Sequence, residues 1–155
     1  MPRPVTATPT ATPTATTSDA LRTLVRISRT LEHACTELTL PQYRLLAMVA
    51  KGDRQASQLA GRLALSKPTI TAVVDGLVER GLLARSEVAA DRRAIQLTLT
   101  RAGRDALNTT EAAMAERLQR LLDRCDDPGL AMAGLAQLGR ALDLVVAERL
   151  AAGGK

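Results

Sequence analysis

The stretch from Leu65 to Leu99, LSKPTITAVVDGLVERGLL followed by ARSEVAADRRAIQLTL, decides the fold. Ser66 is an N-cap candidate, and Pro68 sits in a first turn, where its missing N–H costs nothing. Ile70, Val73, Val74 and Leu77 recur at i, i+3, i+4 and i+7, which places them on one buried helical face. Lys67, Thr69, Thr71 and Ala72 are short or basic and suit a polar surface on the other side. Gly81 stands where a helix-ending glycine is expected. Two strand-like runs follow, Leu82 to Ser86 and Ala94 to Leu99. In the second, Ile95, Leu97 and Leu99 alternate with Gln96 and Thr98, so one side of the ribbon is buried. Between the runs the spacing predicts a tip holding Asp91, Arg92 and Arg93.

Working outward, residues 1–17 are Thr, Ala and Pro with almost no charge. This composition buries no core and reads as a disordered tail. Ser18 is a candidate cap for a helix reaching about Cys35 or Leu38, with Leu21, Leu24, Val25, Ser28, Leu31 and Cys35 on one face and Arg22, Arg26 and Arg29 away from it. Thr39 and Gln42 have capping-box spacing for a helix to about Lys51, stopped by Gly52. A short helix over about Ala56 to Leu63 precedes the turn into Ser66. Thr100 is the next cap, for a helix of about Arg101 to Arg124, and a last helix spans about Leu130 to Ala151. The expected fold is therefore mainly α with a small β-hairpin wing: a winged helix-turn-helix over 39–100. Helices at 18–38 and 101–151 flank it, and their apolar stripes predict dimerisation.

Composition narrows the function. The chain has 155 residues, no Trp or Phe, and one Tyr, so its core is built from aliphatic side chains. No uninterrupted run of about eighteen apolar residues is present, so no membrane span is expected. No hydrophobic signal core opens the chain, and the expected location is cytoplasmic. Cys35 and Cys125 are too few and too far apart in sequence for a zinc site or a redox motif and read as reduced thiols. Residues 51–104 contain ten Lys or Arg and five Asp or Glu, while the remainder holds eleven of each. All the net positive charge thus falls on the helix-turn-helix and hairpin, the footprint expected of phosphate binding. A basic face that simply meets solvent is the competing reading.

The string from Leu65 to Leu83, the triplet Asp91-Arg92-Arg93 with Ala94, and the continuation from Leu97 to Gly103 resemble the MarR family of bacterial transcription regulators. The resemblance covers about residues 20–150. It implies a homodimer whose recognition helix enters the major groove of double-stranded DNA while the wing enters the adjacent minor groove. Ser66, Lys67, Thr69 and Thr71 would then meet base edges and phosphates. Arg93 would enter the minor groove, held by Asp91, with Arg92 beside it and Arg85 as a further phosphate contact. The structural alternatives are that Ser66 only caps and that Asp91 and Arg93 only fix the hairpin. The chain departs from its relatives at Ala72 and Gly76, where they often carry Arg, and at Val88 and Ala89, where they often have Asp-Pro.

An enzyme is not expected. His33 is the lone histidine, with no nucleophile or carboxylate constellation legible around it, and no metal or cofactor site is apparent. Cys35 lacks an obvious activating cation for redox sensing. The resemblance implies that a small apolar or aromatic effector binds near the dimer helices, with His33, Tyr43 and Arg44 as candidate contacts. The function expected is a sequence-specific repressor acting on a pseudo-palindromic operator and released by such an effector. The alternative is a winged-helix protein-interaction module that reads no DNA.

Overall fold

Helices here begin where a hydroxyl can satisfy the first free N–H groups. The computed structural model describes residues 16–52, 56–63, 65–88 and 91–152; the side chains at 56–58, 60, 87–88, 91–95 and 150 fall outside that description. The elements in order are α1 (Thr17–Glu32), α2 (Leu40–Ala50), α3 (Ala56–Leu63), α4 (Lys67–Glu79), β1 (Leu83–Val88), β2 (Asp91–Leu99), α5 (Arg101–Leu122) and α6 (Pro128–Ala152). Thr39 and Gln42 close the expected capping box on α2. The hydroxyls of Ser66 and Thr100 accept from the N–H groups of Thr69 and Gly103 at 3.3 and 3.0 Å.

Two boundaries of α1 differ from expectation. Its cap is Thr16 rather than Ser18, because Asp19 stands three residues on and returns a bond to the Thr16 N–H at 3.3 Å. With Ser18 as the cap, the matching position would be Leu21, which cannot reciprocate. The helix stops at Glu32, short of Cys35. Ala34 and Cys35 tighten into i→i−3 bonds of 2.9 and 3.0 Å, and the chain turns so that Ala34 and Leu38 enter the core.

The end of α4 is a Schellman motif. Gly81, at φ 68°, donates to Val78 O, and Leu82 donates to Leu77 O, both at 2.9 Å. Leu77 and Leu82 are buried, so the turn from α4 into the wing is tied by bonds and by contact. Strands β1 and β2 then pair antiparallel, Leu83 opposite Leu99 and Arg85 opposite Leu97. Leu83 and Leu97 bury their side chains while Ala84 is exposed and Gln96 and Thr98 are only half-buried, so the expected alternation holds at the base of the ribbon. Farther out, the register jumps: Glu87 faces Ile95 but Val88 faces Asp91. The strands therefore run farther than the sequence pattern predicted, and Asp91 lies in β2 rather than in a loop between the strands. Residues 92–94 occupy the irregularity, an arrangement of bulge type that ends regular pairing.

A close approach fixes α5 against this assembly. A Cβ at Gly103 would lie 2.0 Å from Leu82 O, so only glycine permits the contact. Thr100 Oγ1 donates to Gly81 O at 2.7 Å while it accepts from Gly103 N–H. One core results, running from Leu38 through Leu45, Leu59, Leu77 and Leu97 to Leu107. It joins α2, α3, α4, the wing base and the first turns of α5. Each leucine sealed there contributes roughly 1.5–3 kcal/mol.

The outer helices are different. No residue of α1 is buried, and Leu21, Leu24 and Val25 are exposed. On α6, Leu130, Leu138, Leu142 and Leu144 are all about 60–70% exposed. By length and composition alone α6 would also reach across a membrane, an eighteen-residue window within Pro128–Arg149 having mean hydropathy 1.4. Counting uninterrupted apolar residues missed it because Gln137, Arg140 and Asp143 interrupt a stretch otherwise rich in Leu, Ala, Val and Gly.

Candidate nucleic-acid interface

Burying Ile70, Val74 and Leu77 turns the opposite side of α4 outward. Ser66, Lys67, Thr69, Thr71 and Ala72 are all exposed, at the end of the helix where its unpaired N–H groups carry partial positive charge. The structure therefore brings together the four side chains that the sequence singled out on this helix. Their hydroxyls are already engaged. Ser66 Oγ caps Thr69 and shares a 2.8 Å hydrogen bond with its hydroxyl. Thr71 Oγ1 donates to Lys67 O at 2.9 Å, so its proton is spent and its lone pairs remain to accept. In this conformation Thr71 suits a base amino group, and its methyl suits a thymine methyl. Lys67 contributes the cation of the first turn.

Arg85, the further phosphate candidate, is exposed on β1. It forms an ion pair with Asp75 of α4, joining the wing to the outer side of the recognition helix. An exposed pair of this kind adds about 0–1 kcal/mol to stability, so its effect is on position and local charge. The sequence gave no sign of this partnership, because Asp75 and Arg85 meet only after the turn at Gly81 folds the chain back. Asp91, Arg92 and Arg93 lie at the outer end of β2 by backbone. Their side chains fall outside the description, so the roles assigned to them in the minor groove rest on the sequence.

Arg80 is a residue that sequence reasoning passed over. As C-cap of α4, it donates from Nη2 to Glu37 O at 2.8 Å and from Nη1 to Gln42 Oε1 at 3.3 Å. It thereby clamps the recognition helix to the start of α2. No local pattern announces a bond across thirty-eight residues.

Among the described residues, the three effector candidates have different surroundings. His33 is the exposed C-cap of α1, its Nδ1 sharing a 2.6 Å hydrogen bond with Arg29 O, and it lines a cavity whose walls do not include Tyr43 or Arg44. Tyr43 is half-buried against the core; burial, then Glu111 and Cys35, push its phenol above the ordinary range, so it stays neutral. Arg44 is exposed. The Cys35 thiol is likewise pushed up, by burial and then by Glu32, which disfavours the reactive thiolate. Among the described residues no group of His, Cys, Asp and Glu could hold a metal ion.

Comparison with known proteins agrees with this geometry. Residues 36–94 match the MarR family. Among solved structures, the chain is similar to the transcriptional repressor CouR bound to a 23-mer DNA duplex, at 27% identity and a TM-score of 0.71, over 82% of this chain and 92% of that one. It is also similar to the PcaV transcriptional regulator of Streptomyces coelicolor in complex with its natural ligand, at 25% identity and 0.65, over 82% and 91%. A third similarity is to a probable transcriptional regulator from Pseudomonas aeruginosa, at 27% identity and 0.63, over 79% and 96%.

Proposed function

Taking as premise that residues 36–94 are a MarR-family winged helix and that the fold is that of the family's transcription regulators, we propose that this protein is a homodimeric, sequence-specific DNA-binding repressor of the bacterial cytoplasm. The observation that carries the reading is the exposed polar first turn of α4 beside the wing, within the segment that holds all the net positive charge. In this reading Ser66, Lys67, Thr69 and Thr71 meet the major groove. Arg93, with Arg92 and steered by Asp91, enters the minor groove. The exposed apolar faces of α1 and α6 supply the dimer contact. Two recognition helices then address half-sites about one helical turn apart. A small-molecule effector that favours a different spacing of the two helices lowers operator affinity by its differential affinity for the two states.

Selection of bound sequences from random DNA, followed by fluorescence-anisotropy titration, tests this. Wild type should enrich a pseudo-palindrome and lose affinity steeply with salt. Arg93→Ala should weaken binding by about tenfold or more. Failure to enrich any sequence, or an unchanged Arg93→Ala affinity, refutes the reading. One observation favours the protein-interaction alternative: the outer side of α4 presents Ala72, Asp75 and Glu79, none of them cationic. The same selection decides between the two, since an interaction module enriches nothing.

A further inference from the structure

Helix α4 is held at its far end as well as along its buried face. Arg80, its C-cap, donates from Nη2 to Glu37 O at 2.8 Å and from Nη1 to Gln42 Oε1 at 3.3 Å. Both acceptors are neutral, a main-chain carbonyl and a side-chain amide. The contact is therefore directional rather than a charge neutralisation, and it uses the planar fork of a guanidinium. Gln42 Oε1 also accepts from Thr39 N–H at 3.0 Å, so one oxygen both closes the capping box of α2 and receives the arginine. Glu37 lies in the segment between α1 and α2, so the two bonds tie α4 to the chain that leaves α1. Leu38 is buried and anchors that segment in the core. Beside it lies an open cavity of about 560 Å³, whose walls include Thr36, Pro41, Gln42 and Arg80. Close packing thus leaves one side of the segment open, and the bonds from Arg80 span that side.

We propose that Arg80 is a positioning residue for operator reading: its fork fixes the angle between α4 and the segment that leaves α1, and so sets the half-site spacing that the dimer accepts. The spacing role rests on the regulator reading above; the hold on the α1–α2 segment does not. In that reading α1 supplies dimer contact through Leu21, Leu24 and Val25, while the first turn of α4 supplies the base contacts. Arg80 joins the two from the opposite end of α4. The helix has 13 residues and is about 20 Å long. A tilt of about 10° at Arg80 therefore moves the first turn by about 3.5 Å, close to the rise of one base pair, about 3.4 Å. A lysine at this position would offset the helix dipole equally well but could not bridge both acceptors in the same geometry.

Wild type, Arg80→Lys and Arg80→Gln are compared on the operator recovered by selection from random DNA, and on versions with one base pair inserted or removed at its centre. Arg80 is exposed, so both variants should fold. In anisotropy titrations wild type should favour its own spacing by about tenfold or more. Arg80→Lys keeps the charge and loses the fork, and should reduce that preference to about threefold or less, as should Arg80→Gln. A residue that only stabilised the helix end would weaken binding to all three operators equally. A spacing preference kept by Arg80→Lys overturns the proposal, whatever Arg80→Gln does. Hydrogen exchange without DNA reads the hold itself. The amides of Thr39 and Gln42 should exchange about threefold to tenfold faster in Arg80→Lys, while those of buried Ala106 and Leu107 on α5 exchange as in wild type. No change at Thr39 and Gln42, or equal acceleration in α5, overturns the hold. If wild type enriches no sequence, the regulator reading fails and the spacing role with it, while exchange still decides whether Arg80 holds the segment.

Discussion

Replacing Gly103 by alanine gives the sharpest test of how α5 is seated. The added Cβ would lie 2.0 Å from Leu82 O, 2.9 Å from Leu82 C and 3.1 Å from Leu99 Cδ2. Non-bonded carbon needs roughly 3.5 Å, so α5 must retreat by about 1.5 Å. That retreat stretches the bonds tying Thr100 to Gly81 O and Leu82 O, now 2.7 and 3.2 Å. Overpacking a rigid contact costs about 1–3 kcal/mol and a weakened cap about 1 kcal/mol more. Helix propensity returns up to about 1 kcal/mol when glycine becomes alanine. The expected net loss is about 2–3 kcal/mol. In a urea titration at fixed protein concentration this lowers the midpoint by about 1 M with little change in slope. Gly76→Ala is the matched comparison: a Cβ there meets nothing within 4 Å, so propensity acts alone and stability should rise by up to about 1 kcal/mol. Wild-type stability for Gly103→Ala, with the rise at Gly76→Ala intact, would refute the close approach.

Two further outcomes follow from exposed and half-buried side chains. Leu142→Glu on α6, where the leucine is 62% exposed, should leave the fold intact but give monomers in sedimentation velocity and weaken operator binding; a persistent dimer would place the interface elsewhere. Of the two thiols, Cys125 is exposed while Cys35 is half-buried and shifted toward the thiol form. Ellman's reagent at pH 8 should modify Cys125 quickly and Cys35 roughly tenfold more slowly, and a faster Cys35 would contradict its burial.

Much of the winged helix was legible because its signals are local. Ser66, the Ile70–Leu77 periodicity and Gly81 act within a few residues, as does the alternation through Ile95, Leu97 and Leu99. Capping and burial of one face decide each of these elements on the spot. The same holds for Thr39 with Gln42 and for Thr100. Where two local signals competed, as at Thr16 and Ser18, the presence of Asp19 settled the cap, and that reciprocal partner was already visible in the chain.

By itself, then, the sequence determined which segments coil or extend, which side of each faces inward, and where the positive charge is concentrated. The tertiary structure alone decided what meets across a turn or between helices. It set Arg85 against Asp75, which removes a free cation from the wing, and Arg80 against Glu37 and Gln42. It placed His33 in one cavity wall with Arg117, eighty-four residues away along the chain. It brought Gly103 onto Leu82 O, a contact that leaves no room for a methyl group. The physical reason is range. Propensity, capping and periodicity act over about one or two turns, whereas ion pairs, cavities and steric exclusion depend on distances that exist only once the chain has closed on itself.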